Sequence, residues 1–348
     1  MVRKTIKSIT LADIAKELNL SKVAISKALR DHPDISTATK QLVNETVARL
    51  GYVPNFMARN LSSKKSNTIG LVVPKIAHHF FSRAIETIYE TAYQNNYEII
   101  MTVSQENAEH EIKHLQTLLA MRVDGLLISV TEQTKSSEIF DVIKQRGIPL
   151  VFFDRVIEGL GFSCVTSNDL ESTFNSITEI MNRGYTKIGH LAGSQNTSIG
   201  RNRLLGFKKA FEVKGIAIPE KWIVEGGFAE EDGYKGFKAL LETGELPQVI
   251  FTVTYPVALG VLLAAEEHGI SISDELEVIS FGGSSYNRYI KPSLSYIDQP
   301  VQQIAKTATE RLIKEIKMTE YIKPEVFQIP AQLVLCNTCI EHKELMHE

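Results

Sequence analysis

The chain has 348 residues, enough for two or three compact units, and its 43% hydrophobic and 23% charged residues exclude a disordered or fibrous protein. Residues 1–66 contain 12 Lys and Arg against 5 Asp and Glu, whereas the remainder contains 26 against 36. A basic head on an acidic body indicates an anionic partner for the head, either nucleic acid or a membrane surface. Because the sequence has neither a bilayer-length apolar run nor a secretory signal, we expect a cytoplasmic protein without a membrane partner.

The first elements predicted along the chain are three short helices. Thr10 can cap the first helix, and Ser21 can cap a second one over residues 22–29. A third helix is predicted over residues 36–50, with Gly51 as its left-handed cap. Three helices with a tight turn between the first two are typical of a helix-turn-helix head.

The second of these helices is the candidate for reading DNA. In a helix-turn-helix it lies in the major groove, so Ser21 and Ser26 are assigned to phosphates. Lys22, Val23 and Lys27 are assigned to bases, because lysine donates to guanine and valine packs on a thymine methyl. The alternative is a small helical bundle whose lysines are only solvated. The predicted DNA-binding residues of the head are Thr10, Ser21, Lys22, Val23, Ser26 and Lys27.

From residue 69 onward, short apolar runs alternate with segments of helical period. This alternation predicts parallel sheets built from βαβ units, and two rounds of it predict two similar lobes with a cleft between them. The predicted strands are Ile69–Pro74, Tyr97–Val103, Gly125–Val130, Pro149–Phe153, Lys187–Ala192, Gln248–Val253 and Glu277–Phe281.

Motifs of one known family recur in order along nearly the whole chain. The hinge motifs are Gly51-Tyr52-Val53-Pro54-Asn55, Ala58-Arg59-Asn60-Leu61 and Thr68-Ile69-Gly70. The head and body motifs are Ile9-Thr10-Leu11, Asp13-Ile14-Ala15, Val23-Ala24-Ile25-Ser26-Lys27-Ala28-Leu29, Phe80-Phe81, Arg122-Val123-Asp124-Gly125, Gly147-Ile148-Pro149, Phe153-Asp154-Arg155, Arg203, Gly206-Phe207, Ala258-Leu259-Gly260 and Asp298-Gln299-Pro300. On these motifs the chain resembles the lactose-repressor (LacI/GalR) family of transcriptional regulators.

The resemblance implies an α/β protein with a helix-turn-helix head, a hinge helix and a periplasmic-binding-protein-like body of two doubly wound parallel-sheet lobes. It implies a homodimer, or a higher oligomer, on a palindromic double-stranded DNA operator. Leu61 matches an apolar wedge that opens a base step in the minor groove, with contact to the first strand of the body as its alternative. Asn55 and Arg59 are the other hinge residues expected to contact DNA. The expected divisions are 1–53 for the head, 54–67 for the hinge helix and linker, 68–340 for the body, with lobe crossings near 164–168 and 293–326, and 341–348 for a tail.

By the same resemblance, a small-molecule effector, such as a sugar or sugar derivative, binds between the lobes. Where sugar-responsive members have Asn-Asp, this chain has Thr254-Tyr255-Pro256, and His78-His79 and Phe281-Gly282-Gly283 also depart from the family pattern. These departures favour a phosphorylated or less hydroxylated ligand, or a constitutive regulator without one. The two histidines are either anion ligands or merely exposed. The predicted effector-binding residues are Phe80, Asp154, Arg203, Phe228, Tyr255 and Gly283, although the sequence does not separate Phe80 from Phe81.

Two other classes of protein compete with a regulator. A solute-binding receptor shares the two-lobed body but not the basic head, and an enzyme would need a catalytic constellation that the sequence does not contain. Cys336, Cys339 and His342 have a spacing that can suit zinc, but the sequence has no second pair beside them. We therefore expect no catalytic residues, no metal and no cofactor.

Overall fold

A computed structural model describes residues 9–52, 65–318, 320 and 322–339. The chain separates into two compact units, Met1–Ser66 and Asn67–Glu348, called here the head and the body. Among the described residues, no helix combines the length and the apolar character that crossing a membrane requires.

The head consists of three helices, α1 (Leu11–Glu17), α2 (Lys22–Leu29) and α3 (Thr37–Leu50). The serines that precede α2 and α3 accept hydrogen bonds from backbone N–H groups of the first turn, and Gly51 ends α3 with a φ of 63°. These ends confirm the predicted helices. Their core is small and consists of Ile14, Ala15, Ile25, Ala28, Val43 and Tyr52.

The body alternates strands and helices, as predicted. In chain order the elements are β1 (Thr68–Val73), α4 (His79–Gln94), β2 (Glu98–Val103), α5 (Ala108–Ala120), β3 (Gly125–Ile128), α6 (Glu138–Gln145), β4 (Leu150–Phe153), β5 (Ser163–Ser167), α7 (Asp169–Asn182), β6 (Ile188–Ala192), α8 (Ser198–Lys214), β7 (Ile223–Glu225), α9 (Glu230–Glu242), β8 (Val249–Thr252), α10 (Tyr255–Glu267), β9 (Glu277–Phe281), β10 (Ser295–Asp298), α11 (Val301–Lys317), β11 (Val326–Ile329) and β12 (Gln332–Val334). Short 3-10 helices span Glu220–Trp222 and Ser285–Tyr289.

The strands form two six-stranded sheets, one in each lobe. The sheet of lobe 1 has the order β11-β5-β4-β3-β1-β2, and all its pairings are parallel. The sheet of lobe 2 has the order β12-β10-β9-β8-β6-β7, in which only the β10–β12 pairing is antiparallel. All seven predicted strands are confirmed to within a few residues. The prediction of an α/β body with two parallel-sheet lobes is therefore also confirmed.

Each sheet is covered on both faces. In lobe 1, α4 and α11 pack on one face and α5 and α6 on the other; in lobe 2, the pairs are α9 with α10 and α7 with α8. Strands buried on both faces have continuous apolar sequences, as in β1, where all six residues are buried. The carboxyl ends of these strands are where a parallel-sheet protein binds its ligands.

The chain crosses between the lobes three times. It leaves lobe 1 after β5, returns after β10 to form α11 and β11, and crosses again at residues 330–331 to form β12. From the sequence we expected crossings near 164–168 and 293–326, and the third was not part of that expectation. Each lobe is thus assembled from segments that are distant in the chain.

Candidate DNA-binding helix and ligand cleft

The apolar side of helix α2 packs in the core of the head, and the first residues of the helix face solvent. Ile25 and Ala28 are buried, whereas Lys22 is exposed and Val23 keeps 65% of its surface accessible. The Ser21 hydroxyl accepts a hydrogen bond of 3.0 Å from the backbone N–H of Ala24. The start of α2 is therefore a rigid, solvent-facing surface of polar and apolar side chains, which suits the edges of bases.

The other predicted contacts of the head have partners within it. The Thr10 hydroxyl donates to the Asp13 carboxylate at 2.7 Å. Lys27 Nζ lies 2.7 Å from Asp34 Oδ2, and this hydrogen bond, with the nearby charges, lowers the pKa of Asp34. Ser26 is partly buried. A base contact by Lys27 would therefore exchange a carboxylate partner for a base, unlike a contact by Lys22, which has no recorded side-chain partner in the described head.

Three predicted DNA contacts, Asn55, Arg59 and Leu61, lie outside the described residues. His342 of the candidate zinc group lies outside them as well. Of that group, Cys339 is fully buried, and burial raises the pKa of its thiol well above the usual value. Within the described ranges, no three His, Cys, Asp or Glu side chains are grouped to hold a metal ion.

A cleft of about 490 Å³ is lined by residues of both lobes. Among the predicted ligand residues, Phe228 and Tyr255 line this cleft. The aromatic residue of α4 that lines it is Phe81; Phe80 and Gly283 line a smaller neighbouring cavity that Tyr255 also borders. The residues of the cleft are Lys75, Ala77, His78, His79, Phe81, Ser82, Glu106, Arg155, Phe228, Ala229, Glu230, Tyr255, Pro256, Leu259, Ser284, Tyr286 and Ile290.

Arg203 is only 1% exposed and lines neither of these cavities. Its Nε donates to Asp169 Oδ1 at 2.8 Å, its Nη1 donates to the Val253 carbonyl at 2.7 Å, and its guanidinium lies 3.7 Å from the centre of the Phe281 ring. Among the described residues, Nη2 has no hydrogen-bond partner. The contacts of this arginine are thus internal, and the two N–H groups of Nη2 lack a partner among the described residues.

Asp154 follows β4 in a left-handed conformation, with a φ of 59°, and is 5% exposed. Burial raises the pKa of its carboxyl to about 7, although Arg155 and Arg203 act in the opposite direction. The carboxyl therefore changes protonation state near neutral pH, but Asp154 lines neither the cleft nor the smaller cavity beside it.

The sequence analysis did not select Arg155 as a ligand residue, although its motif contained it beside Asp154. Arg155 Nη1 donates to both carboxylate oxygens of Glu106, at 2.8 and 2.9 Å. Its guanidinium lies 4.5 Å from the centre of the Phe228 ring, which belongs to the other lobe. A cation stacked on an aromatic ring across the cleft links the lobes directly.

Phe228 reaches this position because Gly193, just after β6, has no side chain. A Cβ atom at Gly193 would collide with the Phe228 ring. Near the same cleft, His78 caps α4 by accepting a hydrogen bond of 3.3 Å from Phe80 N, and burial together with Arg155 and other cations lowers the pKa of His78 to about 3. His78 is therefore neutral at physiological pH, which removes the charge that an anion-binding role would need.

Comparisons with known proteins agree with this architecture. Residues 10–55 match the family model described as bacterial regulatory proteins, lacI family, and residues 66–337 match the one described as periplasmic binding proteins and sugar binding domain of LacI family. Catabolite control protein A of Priestia megaterium is 28% identical over 94% of this chain and 98% of its own length. The ribose operon repressor of Haemophilus influenzae is 29% identical over 88% of this chain and 92% of its own length.

A crystal structure of the lac repressor dimer bound to operator and the anti-inducer ONPF has the same fold. Its TM-score is 0.84 at 23% identity, and the match covers 96% of this chain and 99% of that one. The two family models together span both the head and the body. The chain therefore belongs to the LacI family of DNA-binding transcriptional regulators.

Proposed function

We propose that the protein is a transcriptional repressor that binds a palindromic double-stranded operator as a homodimer and responds to a small molecule in the cleft between its lobes. The observation that carries the proposal is the start of α2, where Ser21, Lys22 and Val23 face solvent from a helix anchored by its buried side. Two relatives are named a catabolite control protein and an operon repressor, and a structural neighbour is a dimer bound to operator.

The proposed division of labour follows the chain. The head, residues 1–53, reads bases with α2, and the hinge, residues 54–67, orders against the minor groove with Leu61 as the wedge. The body, residues 68–340, carries the dimer contacts and the effector. Occupancy of the cleft changes the angle between lobes and, through the dimer, the fraction of hinge helices that are ordered.

The test is fluorescence anisotropy with the full chain, a palindromic operator selected from a random library and a random duplex of equal length. We expect binding as a dimer, with affinity falling steeply as salt increases because phosphate contacts release counterions. Selection of no preferred duplex, or binding without salt dependence, would contradict the proposal.

The wedge is tested by Leu61→Ala. Loss of an apolar side chain that is buried only in the opened base step should weaken operator binding by about tenfold or more and leave binding to random DNA nearly unchanged. Leu42→Ala is the matched control, since Leu42 is an exposed leucine of α3 with 48% of its surface accessible. Equal losses on both duplexes would remove the wedge role.

A further inference from the structure

The charges that line the cleft cancel one another. The lining contains two cations, Lys75 and Arg155, and two carboxylates, Glu106 and Glu230. Arg155 and Glu106 form a bidentate ion pair in which both side chains are largely buried, at 5% and 12% exposure. Lys75 and Glu230 are exposed. The buried cation of the lining is therefore already paired, so an anionic ligand would meet an unpaired lining cation only in the exposed Lys75, and burying an unpaired charge deeper in the cleft is costly.

Two other groups, Arg203 behind the lining and His78 within it, are also paired or neutral. The Arg203 guanidinium is held by the Asp169 carboxylate at 2.8 Å, and both side chains are almost fully buried. Burial keeps His78 uncharged, since its pKa is lowered to about 3. The N–H groups of Arg203 Nη2 can donate hydrogen bonds, but the positive charge of the side chain already has a partner.

Of the helices that begin at the cleft, α9 of lobe 2 gives no anion site, whereas α4 and α10 have no acidic residue in their first turns. Helix N-termini attract phosphates through their free N–H groups and dipole. The first turn of α9 already carries the carboxylates of Glu230, Glu231 and Asp232, and Asp232 Oδ2 accepts the N–H of Ala229 at 2.9 Å. These carboxylates take the place that a ligand phosphate would need and repel it.

The walls of the cleft are mainly aromatic and aliphatic. Phe81 from lobe 1 and Phe228 and Tyr255 from lobe 2 contribute rings, and Leu259 and Ile290 add aliphatic surface. Ring faces of this kind stack on flat ligands, and ligand hydroxyl groups that turn toward apolar walls lose their hydrogen bonds to water.

Two polar atoms of the lining remain unpartnered. Arg155 Nε and Tyr255 Oη are buried and make no hydrogen bond to any described residue. Arg155 is 4% exposed and Tyr255 is 6% exposed. Burial raises the pKa of Tyr255 to about 12, so its hydroxyl keeps its proton and can donate. Leaving such groups without partners is unfavourable, and a ligand that supplies acceptors relieves that cost.

We infer that the cleft takes an uncharged ligand with a flat, largely apolar ring, which stacks between the aromatic walls and accepts hydrogen bonds from Arg155 Nε and Tyr255 Oη. The inference rests on the proposed function only in treating this cleft as the effector site. It ranks uncharged ligands above phosphorylated and carboxylated ones, and a ligand with a flat, largely apolar ring above a free sugar.

The test uses thermal unfolding of the full chain with pairs of probes that differ by one phosphate. The pairs are adenosine and adenosine 5′-monophosphate, phenyl β-D-glucoside and its 6-phosphate, and glucose and glucose 6-phosphate. An uncharged ring-bearing probe should raise the melting temperature at millimolar concentration, and its phosphate should bind at least about tenfold more weakly. The inference would be overturned if a phosphorylated probe bound more tightly than its uncharged partner, or if glucose bound more tightly than both adenosine and phenyl β-D-glucoside. It would also be overturned if neither adenosine nor phenyl β-D-glucoside shifted the melting temperature.

The hydroxyl of Tyr255 is tested by Tyr255→Phe, with Tyr289→Phe as the control because Tyr289 is 71% exposed and outside the cleft. Without ligand, the Tyr255→Phe protein should melt at the same temperature or higher, since the change removes a buried group that has no partner. Its affinity for the ring-bearing probe should fall by about tenfold. A lower melting temperature without ligand, or an unchanged affinity, would contradict the assigned donor.

Operator binding is measured on the same preparations by anisotropy. If the ring-bearing probes fail while operator binding persists, the ligand class is wrong and the DNA-binding proposal stands. If operator binding fails while a ring-bearing probe still stabilises the chain through Tyr255, the ligand class stands and the proposed repressor function falls.

Discussion

The helices α2 and α3 of the head begin at side chains that bond to backbone groups three residues away, whereas two buried arginines of the body have carboxylate partners tens of residues away. Ser21 and Ser36 each accept the N–H of the third residue after them. In the body, Arg203 is 34 residues from Asp169, and Arg155 is 49 residues from Glu106. The difference teaches that the head is specified locally, while the cleft exists only when the complete body has folded.

The largest effect on this comparison is expected from breaking the buried ion pair between Asp169 and Arg203. Asp169→Ala leaves the Arg203 charge buried without its counterion and should lower the free energy of unfolding of the body by about 3–5 kcal/mol. Denaturant unfolding measures the loss, and adding Arg203→Met to the same protein should recover part of it. Glu231→Ala, which breaks the exposed pair with Lys235, is the control and should have no measurable effect. If the two single variants are equally stable, the body does not depend on this distant pair.

A smaller effect should come from Glu111, a fully buried carboxyl of α5 that accepts hydrogen bonds of 2.8 Å from Thr131 N and from Thr134 Oγ1. Burial raises its pKa from 4.5 to about 7, against the effect of those hydrogen bonds. The folded state therefore favours the protonated acid, so this contribution to stability is present below about pH 4.5 and is lost as the pH rises through about 7.

Glu111→Gln cannot ionise, so the stability of the wild type relative to this variant should fall by about 2 kcal/mol between pH 5 and pH 8. The measurement is urea unfolding at several pH values, and Glu109→Gln changes an exposed glutamate of the same helix as the control. A pH-independent difference would show that folding does not suppress this charge, which would weaken the contrast between the body and the head.

The smallest effects are expected in the head. Replacing its two equivalent helix caps, Ser21 and Ser36, distinguishes an effect on folding stability from an effect on operator binding. Ser21→Ala and Ser36→Ala each remove a side-chain bond to a helix N-terminus, of 3.0 and 3.2 Å, and each should destabilise the head by about 1 kcal/mol. Only Ser21 begins α2, so only its replacement should weaken operator binding beyond the loss of stability. Anisotropy at a temperature where both heads remain folded measures this, and equal affinities would argue against a phosphate contact by Ser21.

The same contrast explains what the sequence could predict. The residues that begin or end the helices of the head lie next to those helices in the sequence; they are Thr10, Ser21, Ser36 and Gly51. The bounds of these helices were therefore predicted almost to the residue. Seven apolar strands of the body were also predicted from the sequence. Five strands were not predicted. They are Ser163–Ser167, Ile223–Glu225, Ser295–Asp298, Val326–Ile329 and Gln332–Val334.

The unpredicted features are those that depend on distant parts of the chain. The strands β7, β11 and β12 are short edge strands with exposed residues, so they lack a continuous apolar run. In the cleft, the motif drew attention to Asp154, and nothing local indicated that Arg155 would pair with Glu106 and stack on Phe228. Likewise, the neutral state of His78 follows from burial, which the order of residues does not reveal.

The three crossings between lobes also determine when each part of the protein is complete during synthesis. The described helices of the head end at residue 50, so these three helices are synthesised before any strand of the body. The sheet of lobe 1 lacks β11 until residue 329 is made, and the sheet of lobe 2 lacks β12 until residue 334. The two lobes therefore become complete within about five residues of each other during synthesis, and the cleft they share forms only after both are complete.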